Sequence, residues 1–132
     1  MIPEKILYTL LKQSTGVTGL AGTRIYADVA PQGTTPPFIV LGLISDRPTY
    51  PIDASPGSDP WTGRMQCSCL GATSESAKQL AEACMSACDK QSGSIGGVPV
   101  MAVLVDARTA THYDNEVDTY LQAVDFIIHY YR

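Results

Sequence analysis

Two nearly uninterrupted apolar runs constrain the fold of this chain more than any other feature of its sequence. Residues 38–44 and 98–105 consist mainly of aliphatic and aromatic residues, which favour extended backbone. A β-rich run without polar alternation is typical of a strand that is covered on both faces. Pro99 lies near the start of the second run, where a strand tolerates the loss of a backbone donor. We therefore predict a sheet strand in each run.

Three further segments have the pattern of strands. Residues 64–70 alternate and place Met65, Cys67 and Cys69 on one face. Residues 24–28 are a short strand candidate, and residues 120–131 are a long closing strand. One face of the closing strand carries Tyr120, Val124, Phe126, Ile128 and Tyr130, and the other carries Leu121, Ala123, Ile127 and Tyr131.

Two segments have the apolar spacing of helices. Pro3 suits the first turn of a helix, and an apolar stripe follows it, so we predict a helix over residues 3–13. Gly16 and Gly19 are expected to break this helix, with a short apolar turn before Gly22. Thr73 or Ser74 is expected to cap a second helix. Its buried stripe is Ala77, Leu80, Ala81, Cys84 and Cys88, and residues 91–97 are expected to end it and turn the chain.

The order of these elements predicts an α+β fold. Strands joined by loops pair as antiparallel hairpins, and helices of a small domain must bury their apolar stripes against a sheet face. We therefore predict two layers: a mainly antiparallel sheet of four to five strands with two helices packed on one face. With 132 residues and no internal repeat, the chain is expected to form a single domain over residues 1–132.

Two polar segments are the candidate interaction sites. Residues 46–63 contain four prolines and two glycines, which predict a long irregular loop, and loops of this length in compact domains are usually functional or disordered. Disordered segments are poor in aromatic residues, so the aromatic residues of this segment argue against simple disorder. Aromatic residues are also enriched at the cores of protein interfaces. Residues 107–117 are predicted to be a second polar loop. The candidate interface residues are Tyr50, Ile52, Asp53, Asp59 and Trp61 in the first segment, and His112, Tyr113 and Asp114 in the second.

The four cysteines are interpreted as core residues. Cys67 and Cys69 lie in a strand pattern, whereas Cys84 and Cys88 lie one turn apart on a helix face. Structural zinc sites usually take their thiolates from paired knuckles on turns, whereas neither cysteine pair of this chain is predicted to lie on a turn. Buried thiols commonly act as small apolar residues, so we predict core packing and no metal.

The sequence carries no pattern of a catalytic or cofactor site. The two histidines, His112 and His129, have no nucleophile signature around them, and no phosphate-binding loop follows a strand. The acidic residues of both loops lack the spacing of a calcium loop, so solvated charge is the simpler interpretation. We therefore predict no catalytic residue, no cofactor and no enzymatic activity.

The charge balance argues against tight nucleic-acid binding. Nine basic residues against thirteen acidic ones give a formal net charge of −4, and the basic residues are scattered. Proteins that bind duplexes tightly neutralise phosphates with clustered Lys and Arg. No apolar run is long enough to span a membrane, and the first residues do not have the pattern of a signal peptide. Only 17% of residues are charged, a composition that fits either a surface covered by a partner or a surface rich in uncharged polar residues.

Several stretches together resemble the tail-completion (tail-terminator) proteins of long-tailed bacteriophages and prophages. The resemblance is carried by EKILYTLLK at residues 4–12, GVTGLAGTRIY at 16–26 and VAPQGTTPPFIV at 29–40. It continues in MQCSCLGATS at residues 65–74 and in the alanine-rich helix that includes AKQLA at 77–81. The proline-heavy 48–60 loop and the four cysteines depart from the family pattern.

This resemblance implies a structural virion protein that assembles into a ring, expected to be a hexamer, at the head-proximal end of the tail tube. The implied partners are further copies of the chain, the major tail tube protein and a head completion or connector protein. DNA is expected to pass through the ring without specific binding, and no membrane is involved. The implied location is the tail or neck of the virion, after assembly in the host cytoplasm.

Three other functions stay open at this point. The nearest is a different neck or minor tail component of related fold. An enzyme and a small-molecule binding module are the others, although no residue pattern favours either.

Overall fold

A computed structural model describes residues 2–49, 59–115 and 118–132 of the chain. Within these residues the elements are α1 (Ile2–Gln13), α2 (Thr15–Ala21), β1 (Ile25–Ala27), β2 (Phe38–Pro48), β3 (Pro60–Gly71), α3 (Ser74–Cys88), β4 (Gln91–Ile95), β5 (Val98–Arg108), β6 (His112–Asp114) and β7 (Thr119–Tyr131). The predicted α+β class is confirmed.

All the described strands belong to one sheet, in the order β1-β2-β3-β7-β5-β4, with β6 paired to β7 beside this path. β1 runs parallel to β2, and every other pair is antiparallel. The prediction of four to five strands was therefore too low, because β4 and β6 were read as turn and loop. The sheet is mixed, since the connection from β1 to β2 returns the chain in the same direction.

The helices cover one face of this sheet. Buried side chains of all three helices share one core cluster with residues of β2, β3, β5 and β7. The strand residues that point to the helices include Ile39, Leu41, Met65, Cys67, Val103, Val124, Phe126 and Ile128. The two-layer arrangement therefore follows the prediction, but with three helices instead of two. We call the opposite side of the sheet the open face.

The third helix, α2, occupies the segment that was predicted to be a turn. The Oγ of Ser14 accepts a hydrogen bond from the backbone N–H of Val17 at 3.4 Å and so caps its first turn. Val17 and Ala21 are fully buried in the core. Burial of these side chains outweighs the low helix propensity of Gly16 and Gly19, which face solvent.

The segment after α3 also differs from its prediction. Residues 91–95 were expected to turn the chain, but they form the edge strand β4, which pairs with β5. Gly93 has a φ of 101°, which only glycine adopts without strain, at an irregularity in the ladder. The tight turn lies at Gly96 and Gly97 instead, both with positive φ.

The described ends of the predicted 46–63 loop belong to a β-hairpin. β2 and β3 remain paired up to Pro48 and Trp61, and the N–H of Thr49 donates to the carbonyl of Pro60 at 2.8 Å. The two prolines lie at strand ends, where their missing donors cost little. The second predicted loop, 107–117, is also shorter, because β5 extends to Arg108 and β6 occupies residues 112–114.

The predictions of α1 and α3 agree closely with the structure. α1 begins and ends within one residue of the predicted bounds. The Oγ1 of Thr73 accepts from the N–H of Ser76 at 3.1 Å and caps α3, and its predicted stripe is fully buried. Gly71 lies directly beneath this cap: a Cβ there would come within 2.6 Å of the backbone nitrogen of Ala77. The glycine therefore lets the first turn of α3 approach the end of β3.

Candidate assembly surfaces

Of the candidate residues in the first segment, Asp59 and Trp61 are described, and they lie at one end of the sheet. Tyr50, Ile52 and Asp53 fall outside the described residues. Trp61 is partly buried in β3, and the guanidinium of Arg132 lies over its ring at 4.5 Å. The N–H of Arg132 also donates to the carbonyl of Asp59 at 2.9 Å. Trp61 is therefore part of the folded hairpin instead of a loop aromatic, and β7 fastens the base of the 49–59 connection.

The candidates of the second segment lie together at a different place. His112, Tyr113 and Asp114 form β6, are all exposed and border a shallow depression of about 520 Å³ with Asn115 and Leu121. The ring of Tyr113 packs on that of Tyr120 at 4.9 Å, and its hydroxyl donates to Asp118. This hydrogen bond raises the pKa of Tyr113.

The two candidate groups are far apart. Trp61 is opposite Tyr130 and His112 is opposite Leu121, so nine residues of β7 separate them. At the rise of a strand this is about 30 Å. They therefore belong to two separate surfaces at opposite ends of β7.

The open face carries half-exposed apolar side chains. Leu104 is 40% exposed and Tyr131 is 38% exposed. Ile44, which lies at a β-bulge in β2, is 51% exposed. Polar contacts interrupt this surface: Arg64 forms an ion pair with Asp106, and Thr62 Oγ1 lies 3.1 Å from Nδ1 of His129. A mixed surface of this kind resembles the surface composition of protein interfaces.

A cleft lies where β2 begins and β3 ends. Its walls come from residues 30–38, Leu70 and Thr119, and it encloses about 480 Å³. Thr119 is only 5% exposed, and its hydroxyl has no hydrogen-bond partner within the described part of the chain. Sequence reasoning missed this cleft because its residues come from three segments that are distant in the chain.

The wall of the cleft is held in place by hydrogen bonds. Nε of Arg24 donates to the carbonyl of Pro37 at 2.9 Å, and the N–H of Thr34 donates to the carbonyl of Pro31 at 3.2 Å. The cleft is therefore preformed in the single chain.

The cysteines are buried in the core, as predicted. All four are fully buried and free of disulfides, and the Sγ atoms of Cys67, Cys69 and Cys84 lie within 4.8 Å of one another. Cys69 and Cys84 are the closest pair described, with 3.8 Å between their sulfurs. Burial raises the pKa of Cys88. Three thiols this close would suit a soft metal ion, but they also pack as neighbouring apolar groups, so the absence of a metal stays a prediction.

A partly buried polar contact joins the core to the hairpin. The hydroxyl of Tyr130, whose side chain is fully buried, donates to the carboxylate of Asp46, with both oxygens at 2.8 Å. Burial is the largest cause that raises the pKa of Tyr130, and this hydrogen bond is the next largest.

Comparison with known proteins gives a matching family, and the similar solved structures include the following two. The family described as "Tail completion protein gp17" matches residues 5–131. A chain from the virion of a native gene transfer agent (GTA) particle is 16% identical and superposes with a TM-score of 0.71, covering 98% of this chain and 94% of its own. A second solved structure is 14% identical with a TM-score of 0.58, covering 99% and 93%. At these identities the two structures show a shared fold.

A sequence comparison with curated proteins gave no significant match. Among the described helices none is long and apolar enough to cross a membrane.

Proposed function

The chain belongs to the family of Tail completion protein gp17, a family of structural virion proteins, and from this premise we propose that it forms a ring at the head-proximal end of the phage tail tube. The ring stops polymerisation of the tube and provides the surface that joins tail to head. The family match over residues 5–131 carries this proposal, since it spans nearly the whole chain. The likeness to a virion chain of a gene transfer agent particle supports it at the level of fold.

The surfaces of the molecule suit such a role. A ring forms when two different patches of one subunit meet on neighbouring copies and the rotation closes. The described residues offer separate patches at opposite ends of β7, together with the half-exposed apolar side chains of the open face. A ring that ends a tube also needs two unlike sides, one that matches the tube and one that rejects further tube subunits.

The charge of the subunit fits a passage for DNA. A formal charge of −4 per chain, multiplied around a ring, disfavours tight contact with phosphates. DNA is therefore proposed to pass through without specific binding. The proposed partners are other copies of the chain, expected to number six, the major tail tube protein and a head completion or connector protein.

Electron microscopy of particles made without this protein tests the proposal. Tails of excessive length, or tails of normal length that fail to join heads, are the expected result. Light scattering on the purified protein, alone and with tube protein, should show a closed oligomer. Normal tails joined normally to heads, or a strict monomer under both conditions, would contradict it.

Another neck or minor tail component of related fold is the alternative. The family match and the shared fold are compatible with it, since neither fixes a position in the particle. Labelling the protein in assembled particles separates the two, because a terminator lies between the tube and the head connector.

A further inference from the structure

We propose that the cleft walled by residues 30–38, Leu70 and Thr119 receives the exposed side of α1 from a neighbouring copy, with Tyr8 entering the cleft. The lysines on either side of Tyr8 then lie against carboxylates at the rim of the cleft. This inference rests on the proposed ring and names the contact that holds neighbouring subunits together.

The cleft lies at one end of the open face. Phe38 pairs with Leu70, and Leu70 pairs with Leu121 of β7. Phe38 and Leu70 alternate along their strands with core residues, so they lie on the side of the sheet away from the helices. Thr119 is two residues before Leu121 and has the same orientation. The cleft therefore opens on the side opposite to α1, α2 and α3.

The chemistry of the cleft suits an apolar side chain. Pro31, Pro36, Phe38 and Leu70 make its walls largely apolar, and its volume of about 480 Å³ is within the usual range for sites that bury a ligand. The wall is held by hydrogen bonds before anything binds. A side chain that enters the cleft would gain burial without reorganising the subunit.

The cleft also needs one polar atom from its occupant. Thr119 lines it, is nearly completely buried, and carries a hydroxyl without a partner among the described residues. A buried hydroxyl left unpaired is costly, so the occupant should bring a hydrogen-bonding group to this point. Tyrosine combines a large apolar ring with a terminal hydroxyl, and its hydroxyl usually finds a partner when buried.

The rim of the cleft beside Thr119 is acidic. Asp118 directly precedes Thr119, and Asp114 is opposite Thr119 in the β6–β7 ladder. Both aspartates are exposed. Arg24 lies at another part of the wall, where its Nε donates to the carbonyl of Pro37. Because complementary charges meet across interfaces, the occupant should carry cations next to its tyrosine.

The exposed side of α1 has this combination of groups. Lys5, Tyr8 and Lys12 recur at i, i+3 and i+7 and therefore form one stripe along the helix. All three are exposed, and Tyr8 is 40% exposed although its ring is large. Nζ of Lys12 lies 5.2 Å from the centroid of the Tyr8 ring. A basic stripe with a tyrosine at its centre complements an apolar cleft with an acidic rim.

The other exposed tyrosines of the described residues fit the cleft less well. The hydroxyl of Tyr113 already donates to Asp118, at the rim itself. Tyr131 lies on the open face, the same side of the sheet as the cleft, and no lysine contacts its ring among the described residues. Tyr8 is thus the exposed tyrosine that lies between two lysines.

The fold allows this contact only between copies. The buried residues of α1 pack against the sheet, and the stripe of Lys5, Tyr8 and Lys12 lies on the opposite side of the helix. Tyr8 therefore points away from the sheet on the helix side, whereas the cleft opens on the open face. The helix layer and the sheet separate the two, so no subunit can fill its own cleft.

A contact between unlike faces of neighbouring subunits propagates in one direction. Each copy offers one α1 stripe and one cleft, so the contact is heterologous and closes into a ring when the rotation permits. A contact that used the same patch twice would stop at a dimer. Donor and acceptor on opposite faces of one rigid domain thus provide the geometry that the proposed ring requires.

Charge reversal tests the pairing of stripe and rim. Lys5→Glu with Lys12→Glu should weaken association by about tenfold or more, and so should Asp114→Lys with Asp118→Lys, because each places like charges together. The variant that carries all four changes should recover most of the lost association, since opposite charges meet again. Light scattering measures association, and circular dichroism checks the fold of each variant.

The control reverses two lysines outside the stripe. Lys78→Glu with Lys90→Glu changes the net charge by the same amount at two other exposed positions and should leave association as in the wild type. If the control weakens association as much as the stripe variant does, net charge explains the effect and the inference is wrong. A fourfold variant that is folded but recovers nothing would also overturn it.

Engineered cysteines test the contact directly. The native thiols are fully buried, so added surface cysteines should dominate under mild oxidation. Gln32→Cys on the cleft wall, combined with Lys5→Cys or with Lys12→Cys, should give a ladder of covalent multimers on a non-reducing gel in at least one combination. Each single variant, and Gln32→Cys combined with Lys78→Cys on α3, should give no product larger than a dimer.

A mutant cycle tests the hydroxyl contact. Tyr8→Phe and Thr119→Val should each weaken association by about twofold to tenfold, the range expected for one hydrogen bond. Because they remove the same bond, the double variant should be no weaker than the weaker single variant. Tyr8→Ala should weaken association by more than either, while the unfolding midpoint of the dissociated subunit stays unchanged. Additive effects of the two conservative changes would overturn the pairing of Tyr8 with Thr119.

The outcomes separate this inference from the proposed function. If the wild-type protein forms rings and neither cysteine combination gives a ladder, the inference is wrong and the ring stands. A crosslink from the α1 cysteine to tube protein instead of to a second copy would also overturn it. A chain that stays monomeric with and without tube protein would contradict both.

Discussion

At the scale of single residues, the contact between Tyr130 and Asp46 joins the central strand to the β2–β3 hairpin. The phenol donates to a carboxylate at 2.8 Å, and the ring is fully buried. Hydrogen bonds to charged groups contribute more than neutral ones, and a carboxylate that loses its donor next to the core is left poorly paired. The hydroxyl is therefore expected to contribute to stability beyond the burial of its ring.

Tyr130→Phe should lower the free energy of unfolding by about 2 kcal/mol, because the ring stays buried while the bond to Asp46 is lost. Chemical denaturation monitored by circular dichroism measures this. Tyr131→Phe, at the neighbouring exposed position, should change stability by less than about 0.5 kcal/mol. Equal effects of the two changes would show that the hydroxyl of Tyr130 contributes nothing specific.

The raised pKa of Tyr130 predicts a dependence on alkaline pH. In the unfolded chain the phenol ionises near its ordinary value of 10.0, whereas burial and Asp46 hold it neutral in the folded protein to higher pH. Its contribution to stability is therefore complete below pH 10 and is lost as the pH rises above that value. Unfolding midpoints between pH 8 and pH 11 should fall more steeply in the wild type than in Tyr130→Phe, and parallel curves would contradict this.

The buried thiols are expected to act only as packing groups. Chelators should leave the unfolding midpoint unchanged, and elemental analysis should find no stoichiometric metal. Cys84→Ala should cost about 1 kcal/mol, as for deletion of one buried heavy atom. One equivalent of bound zinc, lost together with stability on chelation, would show that the cluster of Cys67, Cys69 and Cys84 is a ligand set.

At the scale of elements, the sequence predicted those helices and strands whose apolar residues recur with the period of a helix or a strand. α1, α3 and β7 show clear apolar periodicity, and the predicted stripes of α1 and α3 lie in the core. α2 and β4 could not be recognised in this way. α2 contains two glycines and is stabilised by its Ser14 cap and by burial of Val17 and Ala21, whereas β4 exposes four of its five residues and is held by backbone pairing to β5.

Gly71→Ala tests the close approach of α3 to the sheet. The added Cβ would meet backbone atoms of Ser76 and Ala77, which cannot yield as a flexible side chain can. The change should destabilise the protein by about 1–3 kcal/mol, the usual cost of overpacking. Gly42→Ala is the matched control in β2, since a Cβ there meets nothing within 4 Å. Thermal unfolding of both variants measures this difference, and equal unfolding midpoints would contradict the steric argument.

At the scale of the whole molecule, the open face is expected to become covered on assembly. Leu104→Glu places a charge among its apolar side chains but outside the core, so the fold should persist while ring formation or tube binding weakens at least tenfold. Gln79→Glu, with the same charge change on the helix side, should leave assembly intact. Light scattering and thermal unfolding together measure the two effects. If the Leu104→Glu variant assembles as the wild type does, the open face stays exposed to solvent in the assembly. One face of an antiparallel sheet is often exposed in this way.

The candidate surfaces were only partly foreseeable from the sequence. Aromatic residues in a polar segment drew attention to Trp61, but its packing under Arg132 depends on a strand seventy residues later. The cleft has no local signal at all, because Phe38, Leu70 and Thr119 become neighbours only through the order of strands in the sheet. Local patterns predict elements well, whereas surfaces arise from pairing between distant segments.

The position of β7 in the sheet has a consequence for biosynthesis. β7 lies between β3 and β5 and is the last strand in chain order, so the two halves of the sheet have no link until it has been made. A nascent chain that lacks β7 leaves the inward edges of β3 and β5 exposed and the apolar stripes of its helices half covered. Folding must therefore wait for translation of residues 119–131, and pairings this distant in sequence form slowly. Chains that end before β7 are therefore expected not to reach the native fold.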